Sequence, residues 1–354
     1  MLLAPVELHI PDGFLSAQVS IILWLIIVPV VGFALRRVGK DLDERQVPMM
    51  GVLGAFIFAA QMINFSIPAT GSSGHLGGGM ILAVLLGPHA AFLVMASVLT
   101  VQALFFADGG LLALGCNIWN LAIYPCFVAC PLIYKPLAGN GRSSRRILVA
   151  SLASGIVALQ MGAFSVVLQT LLSGKTDLPF TAFLLMMQPI HLAIGIVEGF
   201  VTAGVIHYVR AVRPEILDSP ASPAPLAAGI PLRNVLIGFA ALAILAGGAL
   251  SWFASSYPDG LEWSIRKVTG ARELPEQDHG IPAALKRVQE KTSFLPGYGI
   301  KPPAGEPGAK EEAPSRPNID AGTSVSGLIG GVLVLIVAFG VGWVIRAFRR
   351  NRSA

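Results

Sequence analysis

The sequence predicts an all-α membrane protein: a seven-helix transmembrane bundle, then two further transmembrane helices that flank an extracytoplasmic, partly disordered segment. Three observations predict this class. Of the 354 residues, 54% are hydrophobic and 13% are charged, about half the charged share of an ordinary soluble domain. Apolar stretches long enough to cross a bilayer recur along the chain, and lysine and arginine gather in alternate loops between them. This composition excludes a soluble enzyme and a largely disordered chain.

Nine apolar stretches are candidate membrane spans, because a helix needs about 20 mostly apolar residues to cross a bilayer. They lie at 17–35, 47–66, 77–87, 89–107, 113–133, 146–172, 183–209, 234–254 and 325–345. The third and fourth come from one long apolar run that Gly87-Pro88-His89 interrupts. Because proline removes a main-chain hydrogen bond and favours a turn, we expect a short helix followed by a full one.

The basic residues between the spans predict the orientation of the chain, because lysine and arginine gather in cytoplasmic loops. If 77–107 folds back on itself, one side of the membrane holds Arg36, Arg37, Lys40, Arg45, Lys135, Arg142, Arg145, Arg146, Arg210, Arg213, Arg233, Arg346, Arg349, Arg350 and Arg352. The short loops opposite carry one lysine, Lys175. We therefore expect a multi-pass protein of the cell (inner) membrane with its amino terminus outside and its carboxyl terminus cytoplasmic. The net charge of +5 then reflects topology and not a nucleic-acid partner.

Composition divides the chain into two parts. Residues 1–212 hold the seven closely spaced spans, and 213–232 form a linker rich in proline, alanine and serine. Residues 233–354 hold a helix, an extracytoplasmic segment at 255–324 and a last helix. Within that segment, 304–318 combines prolines with charges, which is typical of disorder.

Polar side chains inside a membrane are costly, and here they converge on the outer side. The outer ends of the second, fourth and fifth spans carry Gln61, Asn64, Gln102, Asp108, Asn117 and Asn120. A glycine-rich loop places His75 at the same level, and His9 precedes the first span on that side. Imidazole suits nickel, cobalt, copper or zinc, so the convergence suggests an outward-facing metal site. The alternative is that the amides simply hydrogen-bond between helices.

His191 and Glu198 lie seven residues apart on one face of the seventh span. Because ionisable groups inside a membrane tend to pair, this spacing favours a structural hydrogen bond within the bundle.

No motif indicates an enzyme. Ser173-Gly174-Lys175-Thr176 looks like the end of a phosphate-binding loop, but the position that needs the first glycine holds Gln169. The sequence contains neither HExxH nor GxSxG. An intramembrane metal-dependent hydrolase would need its ligands at one depth in the membrane. We expect His75 to lie at a different depth from His191 and Glu198. Any ATP hydrolysis must therefore come from separate subunits.

Five motifs follow one another along the chain. They are His9-Ile-Pro-Asp-Gly-Phe-Leu-Ser, Phe58-Ala-Ala-Gln61-Met-Ile-Asn64-Phe, Gly71-Ser-Ser-Gly-His75-Leu-Gly-Gly, Gln102-Ala-Leu-Phe-Phe-Ala-Asp108-Gly-Gly and Gly115-Cys-Asn117. Over residues 9 to about 210 the chain resembles the CbiM/NikM family, the substrate-capture subunits of energy-coupling-factor (ECF) transporters for cobalt and nickel. Residues 255–300, with Pro258-Asp-Gly-Leu-Glu262 and Ser293-Phe-Leu-Pro, resemble the PDGLE module of the CbiN/NikN-like companion subunit. The chain thus resembles a fusion of the two.

The resemblance implies the substrate-capture subunit of an ECF-type ABC importer for cobalt and/or nickel, serving cobalamin synthesis or nickel enzymes. The metal would be cargo, and no permanent cofactor is implied. ATP hydrolysis would take place in CbiO/NikO-like subunits, joined through a CbiQ/NikQ-like coupling subunit in the bilayer. The alternatives are a membrane metal sensor or binding protein without transport and an intramembrane metal-dependent hydrolase.

The family pattern makes His9 and His75 the metal ligands. An outer shell around them would comprise Gln61, Asn64, Asn117 and Asn120. In the family, the first histidine contributes its imidazole and its main-chain nitrogen, next to a free α-amine. With the imidazole of the second histidine, these make four nitrogens that can lie in one plane, the geometry that suits nickel(II). Here eight residues precede the first histidine. We therefore expect the working protein to begin at Leu8, through a later translation start or processing.

The PDGLE module would face outward, where it helps to load the metal or presents the amino-terminal site. We expect its polar residues to form a solvated surface, with weak metal binding as the alternative. These residues are Asp259, Glu262, Glu273, Glu276, Asp278 and His279.

Overall fold

The computed structural model describes residues 9–41, 46–141, 143–175, 179–217, 231–255, 257–269, 280–300 and 321–353. Four sequence-based expectations lie wholly or mostly outside these residues. They concern the start at Leu8, the linker at 213–232, the disorder at 304–318, and the residues Glu273, Glu276, Asp278 and His279.

Among the described residues, seven α-helices lie in the first part of the chain. They are α1 (Ala17–Asp41), α2 (Gln46–Gln61), α3 (Gly79–Leu86), α4 (Pro88–Phe106), α5 (Leu114–Ala138), α6 (Ser144–Ser173) and α7 (Phe180–Val212). Helix α5 has a wider, π-helical winding over Trp119–Tyr134 and holds two prolines there. Within the described residues, α1, α4, α5, α6, α7 and the last helix, over Ala321–Phe348, are long and apolar enough to cross a membrane. The chain is a multi-pass membrane protein.

The apolar run at 77–107 breaks where the sequence predicts. Helix α3 ends at Leu86, Gly87 has a φ of 78°, and Pro88 is the first residue of α4. Positive φ is readily adopted by glycine, and proline at the first helical position loses no hydrogen bond. Eight residues span only about 12 Å as a helix, so α3 is too short to cross the hydrocarbon core alone.

A two-stranded hairpin follows α2 and departs from the purely helical prediction. Strand β1 (Phe65–Ile67) pairs antiparallel with β2 (Ser72–Gly74), so that Ser66 lies opposite Ser73. The span expected at 47–66 therefore ends as a helix at Gln61. Strands of three residues are too short for a recognisable period-two pattern. The hairpin carries the chain to the glycine-rich loop that holds His75.

The second part contributes α8 (Leu232–Gly248), α9 (Gly260–Thr269), α10 (Gly280–Thr292) and α11 (Ala321–Ser353). These helices pack against the first part and do not stand apart from it. A Cβ atom built on Gly330 in α11 would lie 2.0 Å from Phe58 Cζ, so the backbone of α11 is pressed against α2. The segment between α8 and α11 contains two short amphipathic helices, α9 and α10, which we did not predict from the sequence.

The outer surface of α1 is apolar, as a lipid-facing helix requires. Ile22, Leu25 and Val28 expose 53%, 69% and 59% of their surface, whereas Phe58, Phe92 and Phe106 are fully buried in the bundle. The exposed face of α1 is therefore suited to contact with lipid, while the buried aromatic side chains form the interior of the bundle.

Candidate metal site

The segment that carries His9 is fixed by its neighbour, Ile10. The main-chain N–H of Ile10 donates to Asn117 Oδ1 at 3.0 Å, and Asn117 Nδ2 donates to the carbonyl of Ile10 at 3.1 Å. The N–H of Gly110 donates to the same carbonyl at 3.0 Å. Asn117 thus binds the peptide group beside the histidine through both ends of its amide, which holds His9 in place.

The imidazole of His9 is buried, with 4% of the residue exposed. Its Nδ1 lies 3.0 Å from Asp108 Oδ1, and within the described residues neither ring nitrogen has a hydrogen-bond partner. Its ring centroid is 5.6 Å from that of His75. An unsatisfied buried polar atom costs about 1–3 kcal/mol. The His9 ring is therefore suited to donating an electron pair to a metal ion, with the His75 ring close by.

His75 lies in the loop between β2 and α3 and is half-buried. Its Nδ1 is 2.9 Å from the carbonyl of Leu76, and because a carbonyl only accepts, that nitrogen carries the proton. In a neutral ring the lone pair then lies on Nε2, which is free to bind a metal ion.

Two buried side chains hold this loop from opposite sides. The carboxylate of Glu198 in α7 accepts the N–H of Gly77 at 3.0 Å and that of Gly78 at 3.0 and 3.1 Å. Gln61 Nε2 in α2 donates to the carbonyl of Gly77 at 2.9 Å. The main chain just after His75 is therefore anchored to two transmembrane helices.

A line of polar groups runs from that loop to the His9 segment. Gln102 Nε2 donates to Gln61 Oε1 at 2.9 Å. Asp108, two residues past α4, accepts the hydroxyl of Tyr298 with Oδ2 and faces His9 with Oδ1. Sequence reasoning missed Tyr298 because it lies 190 positions from Asp108 in the chain and no local pattern links the two.

The other two residues predicted for the outer shell have different surroundings. The carbonyl of Asn64 accepts the N–H of Ser255 at 2.7 Å, while its side-chain Oδ1 has no partner among the described residues. Asn120 forms a reciprocal amide pair with Gln169, at 3.0 and 2.9 Å, which joins α5 to α6. Asn120 is thus a contact between helices.

His191 and Glu198 have separate partners. His191 Nδ1 lies 2.8 Å from the carbonyl of Met187, and Glu198 binds the glycine loop. Seven residues of helix rise place the two about 10 Å apart along the axis, which is too far for a direct hydrogen bond. The expected structural pair of His191 and Glu198 is therefore not formed, because each side chain has a main-chain partner.

The second part of the chain docks beside both histidines. Next to His75, the main chain of Pro258 accepts the N–H of Ser73 at 2.8 Å. Asp259 follows, and it is 7% exposed and accepts the N–H of Glu262 at the start of α9. Burial, aided by the negative charges of Glu262 and Asp108, raises the pKa of the Asp259 carboxyl to about 7. Asp259 is therefore not part of the solvated surface that we expected.

Near His9, the end of α10 covers the carboxyl end of α4. Gln289 Nε2 donates to the carbonyls of Ala103 and Gly109, at 2.9 and 2.8 Å. Thr292 Oγ1 donates to the carbonyl of Leu104 at 2.8 Å. The last carbonyls of a helix lack partners within it, so these bonds satisfy the end of α4 and fix α10 beside the His9 segment.

Among the described residues, no group of three or more His, Cys, Asp and Glu side chains is placed to hold a metal ion.

Comparison with known proteins identifies both parts. The CbiM family, described as the cobalt uptake substrate-specific transmembrane region, matches residues 9–216, and the PDGLE domain matches residues 233–347. A candidate fused nickel transport protein NikMN of Archaeoglobus fulgidus is 32% identical over 94% of this chain and 97% of its own length. The fused nickel transport protein NikMN of Rhodobacter capsulatus is 29% identical over 97% of this chain and 99% of its own.

The crystal structure of a truncated transition metal transporter has the same architecture as the first part. It superposes with a TM-score of 0.51 at 33% sequence identity, covering 57% of this chain and 98% of that one. From its sequence match and its fold, the chain belongs to the CbiM family and carries a PDGLE domain in the same polypeptide.

Proposed function

We propose that this chain captures nickel and/or cobalt ions at the outer face of the cell membrane and is the substrate-binding subunit of an ECF-type importer. One observation carries the proposal: two histidines from distant segments lie with ring centroids 5.6 Å apart, and the buried ring has no hydrogen-bond partner among the described residues. The relatives named as nickel and cobalt transport proteins support the choice of cargo.

The ligands in this proposal are the imidazoles of His9 and His75, completed by nitrogen ligands from the amino-terminal segment. A set of neutral nitrogens suits nickel(II) and cobalt(II), whereas calcium and magnesium prefer oxygen. A purely nitrogen set also agrees with the lack of a three-residue side-chain cluster in the described part of the chain.

The outer shell of the site consists of the side chains that hold the two ligand segments. Asn117 fixes the peptide group after His9, and Gln61 fixes the loop after His75. Outer partners of this kind orient metal ligands and raise metal affinity about 10- to 100-fold. Of the other two residues that we expected here, Asn120 acts in this proposal through the packing of α5 on α6. Asn64 acts through the hydrogen bond that its carbonyl accepts from Ser255.

Import needs an energy source, and we assign it to separate subunits of the CbiQ/NikQ and CbiO/NikO types. The chain captures metal outside and its basic loops face the cytoplasm, in agreement with the charge distribution of the sequence. The carboxyl terminus is then cytoplasmic and the extracytoplasmic helices α9 and α10 cover the site. A membrane sensor is the second candidate, and it would need no ATPase.

Uptake of radiolabelled nickel and cobalt by cells that express the chain tests this function. We expect uptake only when the coupling and ATPase subunits are present, and we expect His75→Ala to abolish it. His207→Ala is the matched control, because His207 lies near the end of α7 that we assign to the cytoplasm. Uptake by His75→Ala equal to that of the native chain would remove the site, and metal binding without ATPase-dependent uptake would favour the sensor.

A further inference from the structure

The segment that leads into α9 lies along the hairpin formed by β1 and β2. Ser255 donates its main-chain N–H to the carbonyl of Asn64, just before β1, at 2.7 Å. The Oγ atoms of Ser255 and Ser66 lie 2.9 Å apart. On the other strand, Ser73 donates its N–H to the carbonyl of Pro258 at 2.8 Å. Both sides of the hairpin are therefore bound to the second part of the chain.

The side chain of Ser73 adds to these contacts. The residue is fully buried, and its Oγ lies 2.8 Å from the carbonyl of Tyr257 and 3.2 Å from that of Pro258. A hydroxyl has one hydrogen to donate, so the closer carbonyl is its main acceptor. Because Ser73 precedes His75 by two residues, any shift of Ser73 is carried to the loop that presents the imidazole.

An apolar cluster joins the same hairpin to α7 and α9. Ile67 of β1 packs with Ile190 and Ile194 of α7, and all three are buried. Trp263 of α9 packs against them. Gly74, the last residue of β2, lies directly on this cluster, because a Cβ built there would be 2.5 Å from Ile194 Cδ1. The hairpin and the start of α9 thus share one apolar support.

Gly260 is the central residue of the PDGLE motif, Pro258–Glu262, and it has no room for a side chain. A Cβ built there would lie 2.8 Å from Ile190 Cγ2 and 3.4 Å from His191 Cε1. The backbone of the motif therefore contacts α7 directly, beside the apolar cluster. A larger residue would push the motif away from α7 and, through Ser73, would disturb the hairpin.

We propose that the PDGLE motif positions His75 for metal binding, because it holds the hairpin against α7 through Ser73 and Gly260. This inference rests on the proposed function, since it takes His75 to be a metal ligand. Glu198 and Gln61 hold the loop after this histidine, and the motif holds the chain before it. A ligand segment that is fixed in advance loses less freedom when the metal binds, which raises the affinity.

This arrangement couples the docking of the motif to the binding of the metal. Such coupling is reciprocal: if docking favours metal binding, bound metal favours docking by the same factor. Ni(II) should therefore slow amide hydrogen exchange in residues 257–263, although none of them is a ligand in the proposed site. A contact that only stabilises the fold would not respond to the metal.

The first measurement is hydrogen exchange, followed by mass spectrometry, on the full chain purified in detergent with and without saturating Ni(II). We expect slower exchange in residues 257–263 when Ni(II) is bound. Exchange in this segment that is the same with and without bound Ni(II) would overturn the inference.

The second measurement uses Gly260→Val, which displaces the motif from α7. We expect this variant to bind Ni(II) about tenfold more weakly, to change the electron paramagnetic resonance spectrum of bound Cu(II), and to lose the Ni(II)-dependent slowing of exchange. Gly299→Val is the matched control, because Gly299 is extended and a Cβ there would lie 4.0 Å from the nearest atom, Pro296 O. Native Ni(II) affinity and a native Cu(II) spectrum in Gly260→Val would overturn the inference.

A compensating substitution tests whether the loss arises from this contact. Gly260→Val combined with Ile190→Ala has space for the added side chain, so we expect the double variant to regain Ni(II) affinity relative to Gly260→Val. A double variant that binds as weakly as Gly260→Val would overturn the inference.

Ser73→Ala provides an independent measure if Gly260→Val does not fold. It keeps the main-chain hydrogen bond and removes the hydroxyl, so we expect Ni(II) binding about threefold to tenfold weaker. Ser72→Ala is its control, because Ser72 is equally buried and its hydroxyl lies 2.9 Å from that of Thr70 within the hairpin. Ni(II) affinity in Ser73→Ala equal to that of Ser72→Ala would overturn the inference.

His75→Ala, measured beside these variants, separates this inference from the proposed function. If His75→Ala binds Ni(II) like the native chain, the proposed function itself fails. If His75→Ala is defective and Gly260→Val is not, only this inference fails.

Discussion

Glu198 accepts the main-chain N–H of Gly78 with both oxygens of its carboxylate, at 3.0 and 3.1 Å. A carboxylate buried within a membrane helix is thus satisfied by the loop that presents His75. Few side chains could replace it, because the two neighbouring N–H groups need an acceptor with two oxygens at that depth.

Replacing Glu198 with alanine is expected to loosen the His75 loop. Each buried N–H left without an acceptor costs about 1–3 kcal/mol, so we expect both a lower melting temperature and Ni(II) binding at least about tenfold weaker. Gln188→Ala is the control, since Gln188 Nε2 donates to the carbonyl of Gln160 and so joins the same helix to α6. Metal affinity that falls equally in both variants would contradict a specific role for Glu198.

Asn117 and Asn120 offer a comparison within one helix. Asn117→Ala removes both hydrogen bonds to Ile10 and should weaken Ni(II) binding about tenfold. Asn120→Ala breaks the amide pair with Gln169 and should lower the melting temperature while leaving Ni(II) affinity near that of the native chain. Isothermal titration with thermal unfolding of each variant measures both quantities. The opposite ranking of the two affinities would show that Asn120, and not Asn117, is the closer partner of the metal site.

The packing of α11 on α2 predicts a sharp contrast between neighbouring glycines. Gly330→Val would force a side chain into Phe58, whereas Gly331 has no atom within 4 Å of a built Cβ. Overpacking of this kind costs about 1–3 kcal/mol or more. We expect Gly330→Val to lower the melting temperature of the purified chain and Gly331→Val to leave it nearly unchanged. Equal melting temperatures would mean that the two parts do not pack in this way.

The buried Asp259 predicts a dependence of stability on pH. Burial raises the pKa of its carboxyl from 3.8 to about 7. The negative charges of Glu262 and Asp108 also raise this pKa, whereas His9 lowers it. The folded chain then binds this proton more tightly than the unfolded chain. Its contribution to stability is therefore complete below about pH 4 and is lost as the pH rises towards 7, by at most about 1.4 kcal/mol per pH unit.

Asp259→Asn removes this titration while it keeps an acceptor for the N–H of Glu262. We expect the melting temperature of the variant, relative to the native chain, to be higher at pH 8 than at pH 4.5. A difference between the two proteins that does not change with pH would show that Asp259 is not buried as described.

The sequence predicted the features that depend on composition and on local pattern. The break at Gly87 and Pro88 followed from the backbone properties of those two residues, and the proximity of His9 and His75 followed from the expectation that their segments lie on one side of the membrane. The hairpin after Gln61 was missed because strands of three residues leave no periodic signal.

The partners of individual side chains were harder to predict. Glu198 binds main-chain N–H groups, which every residue possesses, so nothing in the sequence marks Gly77 and Gly78 as its partners. Asp108 and Tyr298 meet only after the second part folds onto α4. Such long-range contacts need the fold, while the residue types that make them are visible in the sequence as polar groups in apolar surroundings.

Titration of the purified chain with Ni(II) tests the central claim most directly, with His9→Ala, His75→Ala and the control His207→Ala measured beside the native protein. We predict one tight site per chain in the native protein and in His207→Ala, and the loss of that site in each of the other two variants. Tight binding that survives both His9→Ala and His75→Ala would contradict the assignment of these two histidines as the ligands.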